Sequence, residues 1–234
     1  AQTGGIVVSA RQIQRVVQRV GGSAQVWQER QAQPGPCDAP VLYVSADGTG
    51  VPMAAPELKG RQGKQADGTA KTRQVYLGCV FTQTRLDHKG RPVRDEGSTT
   101  YVGAIENAHD FGWRIFTAAI RRSSRRAEQI IVLGDGAVWI WNIADEHFPG
   151  AIQIVDLYHA REHLHTLAAT LAFIVTDPDQ WLADRLDELD DGDIEAIIAA
   201  ATAPEYPLVG VKATDGDKAL TYFRTNTVRM RYTH

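Results

Sequence analysis

Two apolar runs end on an Asp-Gly pair: Val41-Leu-Tyr-Val-Ser-Ala-Asp47-Gly48 and Gln129-Ile-Ile-Val-Leu-Gly-Asp135-Gly136. A carboxylate at the C-terminal end of a strand points into the crevice where α/β sheets bind ligands. A glycine after it leaves room for a phosphate or a metal to approach the backbone. Two such carboxylates on neighbouring strands would make a hard, oxygen-lined site suited to Mg²⁺. Asp-Gly is also an ordinary turn dipeptide, so the reading draws its weight from two pairs that each close an apolar strand. Asp156-Leu-Tyr-His159 leaves a further apolar run, with an acid at the strand end and an imidazole in the first turn of a helix.

Other chemistries are written nearby. His159-Ala-Arg-Glu162-His163 matches HxxEH, the inverted zinc-hydrolase signature, and on a helix the two histidines share a face. Its third ligand would have to come from a downstream acid such as Glu188 or Glu195, and nothing singles either out. A glycosidase could use the pair Asp47 and Asp135. It would want exposed aromatics close by, whereas Trp139 and Trp141 fall on a predicted helix where core packing is the ordinary use. P-loop, GxGxxG, GxSxG and cysteine-rich zinc patterns are absent from the sequence.

The elements that must position these residues follow from periodicity. Ser9 reads as an N-cap, with Ile13, Val16, Val17 and Val20 at helical spacing and Gly21-Gly22 as the stop. This is a packing helix or the last helix of a helix-turn-helix showing Arg11, Arg15 and Arg19. Residues 33–40 read as a linker. Strands are expected over 41–47, 74–84 and 99–105, joined by turns as an antiparallel meander. A helix over 107–123, a strand over 129–135, a helix over 137–147, a strand over 151–156 and a helix over 159–175 complete an alternating α/β pattern. The rest reads as helical, with Asp177-Pro178 opening one helix by cap and first-turn proline.

Composition sets outer limits. The chain has 234 residues, 43% hydrophobic and 23% charged, which excludes collagen-like and low-complexity classes. A net charge of −3 means that a polyanion site has to be local. Lys59, Arg61, Lys64, Lys71 and Arg73 supply one in a polar, glycine-rich loop, whereas residues 177–195 carry nine acids against the single base Arg185. The apolar stretches are too short to span a bilayer. The start, Ala1-Gln-Thr-Gly-Gly, has no signal-peptide pattern. Two cysteines, Cys37 and Cys79, make no disulfide framework, so a cytoplasmic setting is expected.

Longer runs carry a resemblance. Tyr43-Val-Ser-Ala-Asp47-Gly-Thr-Gly-Val-Pro-Met53, Lys71-Thr-Arg73 and Leu77-Gly-Cys-Val-Phe-Thr-Gln83 resemble segments of ISKra-type bacterial insertion-sequence transposases. So do Pro92-Val-Arg-Asp95, Ser98-Thr-Thr-Tyr-Val-Gly103 and Leu133-Gly-Asp135-Gly-Ala-Val-Trp-Ile-Trp-Asn142. The run Ala144–His159 is the most specific, and Tyr222-Phe-Arg-Thr-Asn226 with Arg229-Met-Arg-Tyr232 resembles a later motif. The resemblance covers residues from about 40 to the end and implies a Mutator-related DDE transposase. It implies an RNase H-like core over 41–165, with a mixed sheet, a three-strand meander and flanking helices. An all-helical insertion over 166–234 and a helical remnant of a DNA-binding region over 1–32 would flank that core.

In such enzymes three acids hold two Mg²⁺ or Mn²⁺ ions for DNA strand cleavage and transfer. Asp47 matches the first acid, Asp135 the second, and Asp156 with His159 an element near the active site. The implied partners are transposon-end and target DNA and a second copy of the chain, with a nucleoid-associated, non-membrane location. The family's third acid is a glutamate beyond the Arg-Met-Arg-Tyr motif, and no residue before His234 matches it. The expectation is therefore an incomplete triad that is inactive or severely weakened alone. A transposase-derived DNA-binding or regulatory protein without chemistry is the alternative, and a zinc hydrolase the remoter one.

Overall fold

The computed structural model describes residues 9–30, 39–63, 65, 68, 70–203 and 213–232. Cys37, Lys64 and most of the expected linker lie outside the described residues. The chain divides into two units, residues 1–35 and 36–234.

The first unit holds helix α1 (Ala10–Arg30). Ser9 caps it: the Gln12 N–H donates to the Ser9 hydroxyl at 3.3 Å, and the Gln12 side chain accepts from the Ser9 N–H at 2.8 Å. This reciprocal pair is a capping box. The expected stop at Gly21-Gly22 is corrected, because the helix runs nine residues beyond Gly21, to Arg30. A helical glycine costs about 1 kcal/mol against alanine, too little to end a helix that Ala24, Gln25, Gln28 and Glu29 favour. Ile13, Val16, Val17 and Val20 are all exposed, as are Arg11, Arg15 and Arg19.

The second unit opens with β1 (Val41–Pro52), a short α2 (Ala55–Leu58) and β2 (Thr72–Phe81). A small hairpin of β3 (Arg85–Leu86) and β4 (Pro92–Val93) precedes β5 (Thr100–Ala104). Then come α3 (Ala108–Arg121), β6 (Gln129–Gly134), α4 (Val138–His147), β7 (Ile152–Val155) and α5 (Leu157–Leu171). Helices α6 (Pro178–Asp190), α7 (Ile194–Ala201) and α8 (Ala213–Asn226) follow. The sheet order is β5-β2-β1-β6-β7. The pairs β1/β2 and β2/β5 are antiparallel, and β1/β6 and β6/β7 are parallel. This is a mixed α/β fold of RNase H-like strand order, as the alternating pattern and the resemblance imply.

Strand alternation assigns the two sheet faces. Leu42, Val44 and Ala46 on β1, Val80 on β2 and Val132 on β6 are buried, and the Phe111 and Ile115 side chains of α3 reach Gly78 on that face. Helix α3 is amphipathic, capped by Asn107 whose side chain accepts from Asp110 N–H at 2.8 Å, and it buries Phe111, Ile115, Ala118 and Ala119. Beyond the sheet, α5 buries Leu164, Leu167 and Leu171, and Trp181, Leu189, Ile197 and Phe223 of α6–α8 join the same core. Helix α5 passes unbroken through residues 165 and 166, so the core and the downstream helices share one rigid element.

The β3–β4 hairpin is not anticipated from periodicity, because two-residue strands carry no pattern. Asp95 ties it to the end of β2 by accepting from the Thr82 hydroxyl at 2.7 Å and the Thr84 hydroxyl at 2.8 Å. Those hydrogen bonds, the Thr82 hydroxyl foremost, hold its carboxyl below the usual range. No described helix is long and apolar enough to cross a membrane.

Helices α3 and α4 meet through an imidazole. The His147 side chain is 2% exposed, with Trp113 edge-on at 4.7 Å and Phe116 stacked at 5.5 Å. A Cβ on Gly112 would lie 2.6 Å from His147 Nε2, so only glycine lets the ring seat against α3. Nε2 has no hydrogen-bond partner, the Glu146 carboxylate lies 3.9 Å away, and burial pushes the pKa down. The folded state thus binds this proton less readily than the unfolded chain. The resulting stability is fully present above about pH 6.5 and is lost as pH falls toward the lower folded value. Urea unfolding at pH 7.5 and pH 5 should show a smaller acid-induced loss in His147→Gln than in the wild type. Equal losses would show that His147 is not part of the acid response.

Candidate metal and nucleic-acid site

The register of the parallel strands brings the sequence-predicted acids to one edge. Ser45 pairs with Leu133 and Gly134 with Val155. Carried forward in the same register, Asp47 stands opposite Asp135 and Asp135 opposite Asp156, on strands about 4.8 Å apart. By alternation all three fall on the face that carries Ser45, Leu133 and Ile154. Strand β1 differs from expectation: it does not end at Asp47-Gly48 but continues to Pro52 along β2, with Asp47 opposite Leu77. The antiparallel ladder persists where the parallel one has stopped, which leaves Asp47 inside a strand.

Each carboxylate is steadied by nearby backbone. Asp47 Oδ1 accepts from the Gly48 N–H at 2.6 Å. Asp135 Oδ1 accepts from the Ala137 N–H at 2.8 Å, a turn that opens α4 and needs Gly136 at φ +101°. Asp156 caps α5, accepting from the N–H groups of Tyr158 at 2.8 Å and His159 at 3.2 Å. The two strand ends are linked by the Asp156 N–H donating to the Gly134 carbonyl at 2.8 Å. No Lys or Arg among the described residues forms an ion pair with Asp47, Asp135 or Asp156. The His159 Nδ1 lies 3.5 Å from Asp156 Oδ1.

A second layer comes from residues that periodicity alone does not single out. The Tyr222 hydroxyl donates to the Asp135 carbonyl at 2.9 Å, and its ring stacks on His163 at 3.7 Å between centroids. The Tyr232 hydroxyl donates to the Val155 carbonyl at 3.1 Å. Burial, with Asp135, Asp156 and Glu162 in its field, raises the Tyr222 pKa far above normal, so the phenol stays protonated. Burial, then Tyr222 and Asp156, does the same for Tyr232. His163 is pushed down by burial and by His159, against the opposing pull of Glu162 and Asp135. The only sequence signal for the tyrosines is their place in runs that resemble a family motif.

The donor set fits a hard divalent ion better than zinc. Mg²⁺ takes one or two carboxylates and keeps waters and substrate phosphates as its other ligands. Aspartates just past the parallel ladder, with no Lys or Arg ion pair among the described residues, are of that chemistry. Among the described residues no three His, Cys, Asp or Glu side chains gather as a metal cluster. His163 of the HxxEH run is packed against Tyr222. The glycosidase reading loses its aromatics. Trp141 is 4% exposed with the Arg229 guanidinium over its ring at 4.9 Å, and Trp139 packs on Tyr76 at 4.8 Å.

The basic residues lie at the same end of β1 as Asp47. Arg73 pairs with Val51 across β1/β2, four residues or about 13 Å beyond Asp47. The Lys71 carbonyl accepts from the Met53 N–H at 3.4 Å, and Lys59, Arg61 and Lys71 are exposed. Arg73 is half-buried and donates to the Ile105 carbonyl at 3.5 Å. No described carboxylate pairs with these four cations, and Lys64 lies outside the described residues.

No family model matches the chain, and no curated protein matches it. Among solved structures it is similar to the Drosophila P element transposase in a strand transfer complex. Identity is 11% and the TM-score 0.30, over 97% of this chain and 60% of that one. It is also similar to NurA bound to dAMP and manganese, at 10% identity and a TM-score of 0.17, over 97% of this chain and 64% of that one. The chain thus spans less than two thirds of either.

Proposed function

We propose that this chain is the catalytic part of a DDE-type DNA transposase related to the ISKra insertion sequences, in which Asp47 and Asp135 bind Mg²⁺ or Mn²⁺. The observation that carries this reading is the strand register, which, carried two residues past its last pair Ser45–Leu133, sets the two Asp-Gly aspartates side by side in a sheet of RNase H-like strand order. Divalent ions bound there would supply charge stabilisation to the attacking and leaving oxygens of an in-line phosphoryl displacement. The chain's own residues do the rest. Asp47 and Asp135 hold the ions, with backbone N–H donors fixing one oxygen of each. Asp156 closes the row and keeps α5, with His159 on its first turn, against the site. Lys59, Arg61, Lys64, Lys71 and Arg73 grip backbone phosphates and read little sequence. Two transposon ends call for a second copy of the chain in the working complex.

The test is single-turnover cleavage of duplex DNA by the protein with Mg²⁺, with Mn²⁺ and with EDTA. Metal-dependent nicking, however slow, supports the reading, and DNA binding with neither nicking nor Mn²⁺ binding argues for the second one, a transposase-derived DNA-binding protein. In either case, changing Arg61 or Lys71 to Ala should flatten the plot of log affinity against log salt by about 0.7–0.9 for each phosphate left without its cation. An unchanged slope would remove this segment from the interface.

A further inference from the structure

The ends of β6 and β7 lie beyond their last ladder partners, at Gly134 and Val155. Past that pair the two ends share the Asp156 N–H to Gly134 carbonyl bond, and an unsupported strand end would let its terminal carboxylate drift. Both neighbouring carbonyls instead receive a phenol from the segment 213–232: Tyr222 donates to the Asp135 carbonyl at 2.9 Å and Tyr232 to the Val155 carbonyl at 3.1 Å. These donors come from 87 and 77 positions away in sequence. Gly136 completes the fit. A Cβ there would lie 2.5 Å from the Tyr222 ring and 3.2 Å from Asn226 Nδ2, so the bare backbone of the Asp-Gly turn is what lets α8 close on it. Behind the phenol, the His163 ring at 3.7 Å fixes its plane. Asn226, 2% exposed, holds the next turn by donating to the Tyr222 carbonyl at 3.1 Å.

We propose that Tyr222 and Tyr232 are positioning residues: their hydroxyls hold the backbone at Asp135 and before Asp156, and so set the spacing on which divalent-cation affinity depends. The inference rests on the proposed metal site and adds to it that the C-terminal helical segment tunes that site. Groups that orient metal ligands commonly change affinity by about 10–100-fold when removed.

The experiment uses the full chain and Mn²⁺ alone, with free Mn²⁺ followed by electron paramagnetic resonance and folding by near-ultraviolet circular dichroism and thermal unfolding. Tyr222→Phe and Tyr232→Phe keep each ring and remove one hydroxyl. Each variant is expected to bind Mn²⁺ about tenfold more weakly than wild type while remaining folded, and Asp135→Asn is expected to lose binding. Wild-type affinity in both tyrosine variants, with binding abolished in Asp135→Asn, overturns this inference and leaves the metal site standing. A lowered unfolding temperature with unchanged Mn²⁺ affinity also overturns it, because the hydroxyls would then be structural only. If wild type itself fails to bind Mn²⁺, the metal site falls and takes this inference with it. Should Tyr222→Phe not fold, Tyr232→Phe decides the matter alone.

Discussion

Replacing Asp135 by asparagine is expected to reduce Mn²⁺-supported strand cleavage, however slow in the chain alone, by about 10³-fold while leaving DNA affinity equal or higher. Asparagine keeps the carbonyl oxygen that accepts from the Ala137 N–H, so the turn that opens α4 survives. What it loses is the negative charge that, on the proposed reading, holds a divalent ion. Removing a single preorganised electrostatic contact to the transition state costs roughly 10²–10³-fold, and loss of a metal ligand should reach at least the upper end. DNA affinity should not fall, because a carboxylate facing phosphates repels them. Asp47→Asn is expected to behave alike, since its Oδ1 accepts from Gly48 in the same manner. The comparison is a single-turnover cleavage rate beside a binding isotherm, and full cleavage by either variant would end the assignment.

Gly136→Ala should be the most destabilising of the small substitutions near the site, by about 2–6 kcal/mol. Two costs combine. At φ +101° the backbone lies where side chains rarely go, a strain of roughly 1–3 kcal/mol. The new methyl would also sit 2.5 Å from the Tyr222 ring, and overpacking of this kind costs roughly 1–3 kcal/mol more. Gly60→Ala separates the two. Its φ is +74° but nothing lies within 4 Å of the added carbon, so it should lose only about 1–2 kcal/mol. Urea unfolding of the three proteins measures the difference, and equal losses in the two variants would mean that α8 does not close on the Asp-Gly turn. Such a loss is a large share of the roughly 5–15 kcal/mol that holds most domains together.

The sheet was legible because its strands are apolar runs punctuated by turns, and because a meander followed by alternating helices and strands leaves few topologies. Boundaries were less so. Strand β1 overran its Asp-Gly because that dipeptide turns a chain only where no partner continues, and β2 continues it to Pro52. The last stretch reads simply as helical, whereas α8 spans Ala213–Asn226 and tightens into a short 3₁₀ turn over Thr227–Arg229. For the candidate site, residue type and spacing drew attention to Asp47, Asp135, Asp156 and His159, but spacing says nothing of interactions made across the fold. The hydroxyls of Tyr222 and Tyr232 meet the strand ends only after α5 and α8 have packed together. A tyrosine in a helical run looks like any other core aromatic until that packing is known. His147 is similar: in sequence it ends a helix like any dipole-matched cation, and only the fold buries it.

Whether Asp47 and Asp135 hold a common ion decides the proposed chemistry, and anomalous X-ray scattering from crystals of the protein grown with Mn²⁺ reads it out. An anomalous peak is expected within coordination distance of both carboxylates, at the edge where β1 and β6 run side by side. Manganese bound away from both carboxylates, or the two side chains turned to opposite faces of the sheet, would refute the shared site.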